Sequence, residues 1–238
     1  MPMPLPPPPP KPPFPPPAPP PCVRDPRATY PDGAPTLGAN GLELDGSTSH
    51  VLTGLTGSDF TAGFTMAFRA TIKQTVDYQR VFQFSENAAD SGNRMFADLG
   101  NNGVSNGWRT FQYVVSPNPY YRMNHGYWDY NEHIYAFVIG PSVGPSSYKD
   151  GQLFAGTWTG GTGNGWGSNS LASWATLLEV GKRNYNWQAD VKWMGAWNAE
   201  LSASQLAQVS DPARSATEVT ALHSPIWFQD YTCAAPVG

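Results

Sequence analysis

Charge is scarce in this chain: Asp, Glu, Lys and Arg make up 13% of its 238 residues, against about 25% in an ordinary soluble domain. The formal net charge is only −4 and no Lys or Arg run occurs, so the electrostatic footprint of nucleic-acid binding is missing. No stretch approaches the roughly 20 continuous apolar residues of a membrane-spanning helix. The first residues carry proline where a secretory signal would have an apolar segment, and the expectation is a removed signal or a fragment. No Asn-x-Ser/Thr sequon occurs, so N-linked glycosylation is not expected. Cysteine appears twice, as Cys22 and Cys233. The histidines (His50, His125, His133 and His223) are scattered, and no Ser/His/Asp or Cys/His grouping is suggested.

Proline is abundant and unevenly placed. The first 21 residues, MPMPLPPPPPKPPFPPPAPPP, hold 15 of the 25 prolines, and a run lacking so many backbone donors forms neither helix nor sheet. It reads as a polyproline II rod, at about 3.1 Å per residue roughly 65 Å long, suited to a spacer, stalk or assembly element. Residues 22–238 then form one large domain, with nine Trp, eleven Tyr and ten Phe to build its core. Cys22 stands at the junction and Cys233 near the other end. They are either independent buried thiols or, since domain termini tend to lie close together, a disulfide closing nearly the whole domain into one loop. The disulfide is the expected arrangement, and with it an oxidising compartment.

From residue 37 onward short alternating segments are punctuated by Gly, Asn, Asp and Pro. In Leu42-Glu43-Leu44-Asp45-Gly46 and again from Phe64 to Ile72 apolar residues fall at every second position, predicting half-buried strands. Arg80–Phe84, Met95–Leu99, Thr110–Val115, Ile134–Ile139, Leu177–Gly181 and Asp190–Trp197 continue the series. Asp150-Gly151 signals a hairpin. Only Ser202–Val209 reads as helix, with Ser202 as N-cap. The expected fold class is all-β, a two-sheet antiparallel sandwich.

The order of these segments resembles the laminin G-like, concanavalin A-like jelly-roll family. The resemblance rests on Leu42–Gly46 as a strand ending in Asp-Gly and on the strand Phe64–Ile72. It rests further on Ile134–Ile139 leading to the hairpin Tyr148-Lys149-Asp150-Gly151-Gln152-Leu153, on Leu178-Glu179-Val180-Gly181, and on Trp193–Asn198 followed by Leu201-Ser202-Ala203-Ser204-Gln205-Leu206. It spans roughly residues 37 to 210 and implies a jelly roll. The rod joined through a cysteine to a globular head also resembles the hydroxyproline-rich, pherophorin-like extracellular glycoproteins of green algae. That resemblance implies hydroxylation and O-glycosylation of Pro6, Pro7, Pro8, Pro9, Pro10, Pro12, Pro13, Pro15, Pro16, Pro17, Pro19, Pro20 and Pro21.

Related jelly rolls include glycanases with carboxylates spaced E-x-D-x-x-E on one strand, a pairing that general acid/base cleavage requires. Here Glu43-Leu44-Asp45-Gly46-Ser47-Thr48 has Thr in place of the third acid, so no catalytic residue and no enzymatic activity are expected. Many laminin G-like domains hold calcium in rim loops; Asp98 and Asn101, with Asp90 nearby, have the right ligand types, though Asn-Gly is also ordinary turn chemistry. The densest aromatic region runs from Trp108 to Tyr130. Its candidate contact residues are Trp108, Tyr120, Tyr121, Tyr127, Trp128 and Tyr130, with the stretch 118–130 read as a loop. They are core and loop cover, or a surface for polyproline, or flat faces for sugar rings. Trp158 and Trp166 in the Gly-rich stretch 157–170, and Tyr185 and Trp187, extend the aromatic excess.

The expected function is that of a structural subunit of an extracellular fibre, wall or surface coat, partnered by its own copies or related proline-rich glycoproteins. The first alternative is a stalked, lectin-like module that binds polysaccharide. The second is an intracellular adaptor offering the proline tract to SH3-, WW- or profilin-type domains.

Overall fold

The strand Phe64–Ile72 shows how the sequence builds both layers of this protein. Phe64, Met66, Phe68, Ala70 and Ile72 lie in the main core, while Ala67 on the reverse face lies in a second apolar cluster. The computed structural model describes residues 22–30, 35–46, 50–73, 79–86, 93–99, 107–114, 121–127, 130–141, 146–154, 156–159, 170–181 and 187–233. The proline-rich segment and its candidate modification sites lie outside the described residues.

In chain order the strands are β1 (Thr36–Gly38), β2 (Gly41–Asp45), β3 (Val51–Leu52), β4 (Phe64–Ile72), β5 (Gln79–Ser85), β6 (Arg94–Leu99), β7 (Gly107–Val114), β8 (Tyr121–Tyr127), β9 (Glu132–Ile139), β10 (Ser146–Lys149), β11 (Gln152–Leu153), β12 (Gly156–Thr159), β13 (Leu177–Val180), β14 (Gln188–Trp197) and β15 (Trp227–Asp230). Helix α1 spans Ala203–Val209 and α2 spans Ala216–Thr220. One antiparallel sheet runs β1-β2-β14-β4-β9-β10-β11, with β15 also paired to β14; we call it sheet A. Sheet B runs β12-β8-β7-β6-β5-β13-β3. The protein is therefore an all-β, two-sheet antiparallel sandwich, as the alternating segments predict. Asp150 and Gly151, both with positive φ (48° and 77°), turn β10 into β11, the backbone that an Asp-Gly hairpin needs.

The expectation of half-buried strands is corrected in the middle of sheet A. In β9, Tyr135, Phe137 and Ile139 enter the inter-sheet core while Ile134, Ala136 and Val138 enter the second cluster. In β14 the alternation changes phase: Ala189 and Val191 face the main core before a bulge between Val191 and Trp193, and Met194 and Ala196 face it afterwards. The extra residue, Lys192, reverses the pleat and turns Trp193 and Trp197 to the outer cluster. Leu206, Val209, Ala216 and Val219 of the two helices cap that cluster. Each helix is fixed by a capping box, Ser202 with Gln205 and Ser215 with Glu218, which satisfies amide donors that a short helix leaves open.

The chain enters and leaves at one corner. Asp230 donates its amide to the Val23 carbonyl at 2.9 Å and Asp25 donates to that of Phe228 at 3.0 Å, so the incoming segment pairs with β15. Beside this ladder Cys22 and Cys233 form a disulfide, their Cα atoms 5.9 Å apart and 211 residues apart in sequence. At the same corner His223 and Ser224 both take left-handed backbone, with φ of 54° and 49°. That conformation costs about 1–2 kcal/mol per residue, and for Ser224 the following Pro225 disfavours it further. Gln205 Nε2 donates to His223 Nδ1 and His223 Nε2 donates to Gln208 Oε1, each at 3.2 Å, holding the ring in place.

Candidate functional site on the outer face of sheet B

Helices cover the outer face of sheet A, so the sheet face left for a site is the outer face of sheet B. Phe82 and Phe84 of β5, Met95 and Ala97 of β6, and Leu178 and Val180 of β13 face the core. Their neighbours on the reverse face are Arg80, Gln83 and Ser85 of β5 and Glu179 of β13. These polar residues are nearly withdrawn from solvent: Gln83 is 0% exposed, Ser85 1%, Arg80 4% and Glu179 8%. Burying such groups is unfavourable unless they are bonded, and Arg80 Nη1 donates to Gln83 Oε1. Ser85 Oγ is buried with no hydrogen-bond partner among the described residues.

Strand register extends this cluster across the sheet. Glu179 stands opposite Gln83, and the same row continues through Phe96, Gln112 and Arg122 to Thr159, spanning β13, β5, β6, β7, β8 and β12. Ser85 stands opposite Arg94. Asp98 stands opposite Arg80 on one side and Arg109 on the other. Arg80, Gln83 and Glu179 thus bring guanidinium, amide and carboxylate groups to neighbouring positions of the outer face, chemistry suited to hydroxyl or carboxylate groups. A bulge between Arg80 and Phe82 puts both Val81 and Phe82 into the core and Arg80 onto the outer face.

The predicted contact residues divide between this sheet and other places. Trp108 belongs to β7 and Tyr121 and Tyr127 to β8, so much of the stretch read as a loop over 118–130 is a strand. It is a strand because β8 pairs along its length with β7 and β12. Tyr121 stands opposite Tyr113 in a register row that continues through Met95 and Phe84, and Met95 and Phe84 are core residues. Tyr130 is 58% exposed. Tyr120 and Trp128 lie outside the described residues, as do Trp166 and Tyr185. Trp158 belongs to β12, so the Gly-rich stretch begins in a strand. Trp187 is a core residue, 0% exposed and edge-on to Phe68 at 5.1 Å, which corrects its reading as a surface aromatic.

Asp98, expected as a calcium ligand, sits within β6, and Asn101 lies outside the described residues. Among the described residues no group of three or more His, Cys, Asp or Glu is placed to hold a metal ion. Glu43 stands opposite Asp190 of β14, and Asp190 Oδ1 is paired with Lys73 Nζ at 2.5 Å. On sheet A, Glu132 receives Arg69 and Lys192, each at 2.6 Å. Burial pushes its carboxyl upward, but hydrogen bonds from Lys192 and Arg69 and their charges hold it below the usual carboxylate range. No helix among the described residues is long and apolar enough to cross a membrane.

No family model and no curated protein matches the chain. Solved structures do resemble its fold. A Trypanosoma rangeli sialidase in complex with the inhibitor DANA superposes with a TM-score of 0.52 at 14% identity, over 71% of this chain and 27% of that one. The chain thus spans about a quarter of that enzyme's length. Domain 4 of a GH43 extracellular arabinanase from Geobacillus stearothermophilus, in complex with arabinotriose, gives a TM-score of 0.55 at 12% identity, over 77% of this chain and 87% of that domain. The CBM40 of a Ruminococcus gnavus IT-sialidase gives 0.51 at 12% identity, over 71% and 92%. At these identities the likeness is one of fold.

Proposed function

We propose that this domain is a carbohydrate-binding module of an extracellular protein, that it has no catalytic activity, and that it binds glycan on the outer face of sheet B. The observation that carries the reading is the buried polar set Arg80, Gln83 and Glu179; the row of Glu179 and Gln83 runs into strands β7 and β8, with their high aromatic content. Sugars are recognised by convergent amides, carboxylates and guanidinium groups beside flat rings. The fold neighbours that this chain covers nearly whole are a CBM40 and a domain solved with arabinotriose. The Cys22–Cys233 bond fits an oxidising, extracellular setting.

Calorimetric titration of the full chain with arabino-oligosaccharides, sialylated oligosaccharides and neutral hexose oligomers tests the reading. Binding of one class is expected, with at least a tenfold loss in Gln83→Leu and Glu179→Gln measured at a temperature where both variants remain folded. Binding that survives both substitutions, or no binding in any class, would overturn it. Release of reducing ends that is abolished in Glu43→Gln would replace it with a glycanase reading.

A further inference from the structure

A groove of about 410 Å³ opens at the corner where the chain enters the sandwich. Val23, Arg24 and Pro26 of the incoming segment line one side, and Pro225, Ile226 and Phe228 line the other. Both sides are fixed. The incoming segment is laddered to β15, Arg27 is paired with Asp25 at 2.7 Å, and Arg27 Nη2 donates to the Ile226 carbonyl at 2.5 Å. The strained turn at His223 and Ser224 sets the far wall, and backbone strain of this kind accumulates where a surface has a task.

The lining selects its occupant. It offers apolar rings, the Asp25 carboxylate already paired with Arg27, and one fixed cation, the Arg24 guanidinium held 4.9 Å over the Tyr231 ring. A polyproline segment supplies ring edges and carbonyl acceptors and has almost no N–H to satisfy. Such segments dock in apolar, aromatic-walled grooves. This chain carries one, residues 1–21, joined through Cys22 to Val23 of the groove's lining. Its own copy cannot easily fold back. Pro19, Pro20 and Pro21 immediately precede Cys22, and prolines in succession hold each other extended, whereas the near wall begins at Val23.

We infer that the groove receives the proline-rich segment of a second copy of this chain. Each molecule then carries one projecting segment and one socket, a head-to-tail contact that propagates as a ring or an open filament. This inference is independent of glycan binding on sheet B.

Isotope-mixed photocrosslinking of the unmodified full chain tests it. Equal amounts of ¹⁴N- and ¹⁵N-labelled chain carrying Phe14→p-benzoylphenylalanine are irradiated and digested. Mixed-isotope crosslinks from position 14 to residues 23–26 or 220–228 are expected, suppressed by excess synthetic peptide of residues 1–21. Val23→Lys and Arg24→Gln, chosen because both positions are partly open to solvent, should lower their yield at least tenfold with an unchanged melting profile. Same-isotope crosslinks only, crosslinks to another part of the head, no crosslinks, or full yield in both variants would overturn the inference.

Discussion

The hydroxyls of Tyr30 and Tyr231 lie 3.2 Å apart, tying the incoming segment to the residue that follows β15. Burial pushes the Tyr231 phenol well above its ordinary range, Tyr30 adds to the shift, and Arg24 opposes it. A group whose folded pKa is raised gives stability that is whole below the unfolded value, about 10, and is lost as pH climbs toward the folded one. The urea midpoint should therefore hold steady from pH 7 to 9 and fall above pH 10. Tyr231→Phe should flatten that fall; an equally steep fall in the variant would assign the alkaline limb to other groups.

Glu132 gives the opposite limb. Its carboxyl is held low by Lys192 and Arg69 against the upward push of burial, so its contribution is present above the unfolded pKa and disappears as pH falls through the folded one. Urea midpoints taken from pH 6 down to pH 3 should decline less in Glu132→Gln than in the parent chain.

The Cys22–Cys233 bond closes a loop of 211 residues. By the chain-entropy relation, removing a bond across so long a loop costs about 5.4 kcal/mol. Replacing both cysteines by Ser should lower the denaturant midpoint accordingly. Amide exchange at Arg24 and Asp25 should quicken before that of β4 or β14.

Trp187→Ala separates a core role from a surface role. An indole packed edge-on to Phe68 should cost about 3–5 kcal/mol when truncated, whereas a surface aromatic would shift stability by about 0.5 kcal/mol. A thermal melt decides between them.

Local chemistry was legible in the sequence. Phe64–Ile72 is a strand over the range its period indicates, Ser202 caps the helix that follows, and Asp150-Gly151 makes its turn. The second core was not legible, because Ala67, Ala136 and Trp193 join a cluster completed by α2 and β15, elements too short for their periodicity to stand out, together with α1. Trp187 looked like a surface ring for the same reason: tertiary packing, not local pattern, decides where an isolated aromatic goes. The site was half legible. Arg80-Val81-Phe82-Gln83-Phe84 shows polar residues between apolar ones, but nothing local shows that Gln83 lies opposite Glu179. The aromatic density of 108–130 falls in sheet B, and its reading as a loop over 118–130 was wrong, since β8 becomes a strand through partners on both sides.

Because Cys22 and Cys233 are joined at one corner, tension applied to the chain at those two points runs straight through the sulfur–sulfur bond. The 210 residues between them carry none of the load. The sandwich hangs from the line of force like a charm on a chain, keeping its sheets and any surface they present undeformed while its attachment is under strain.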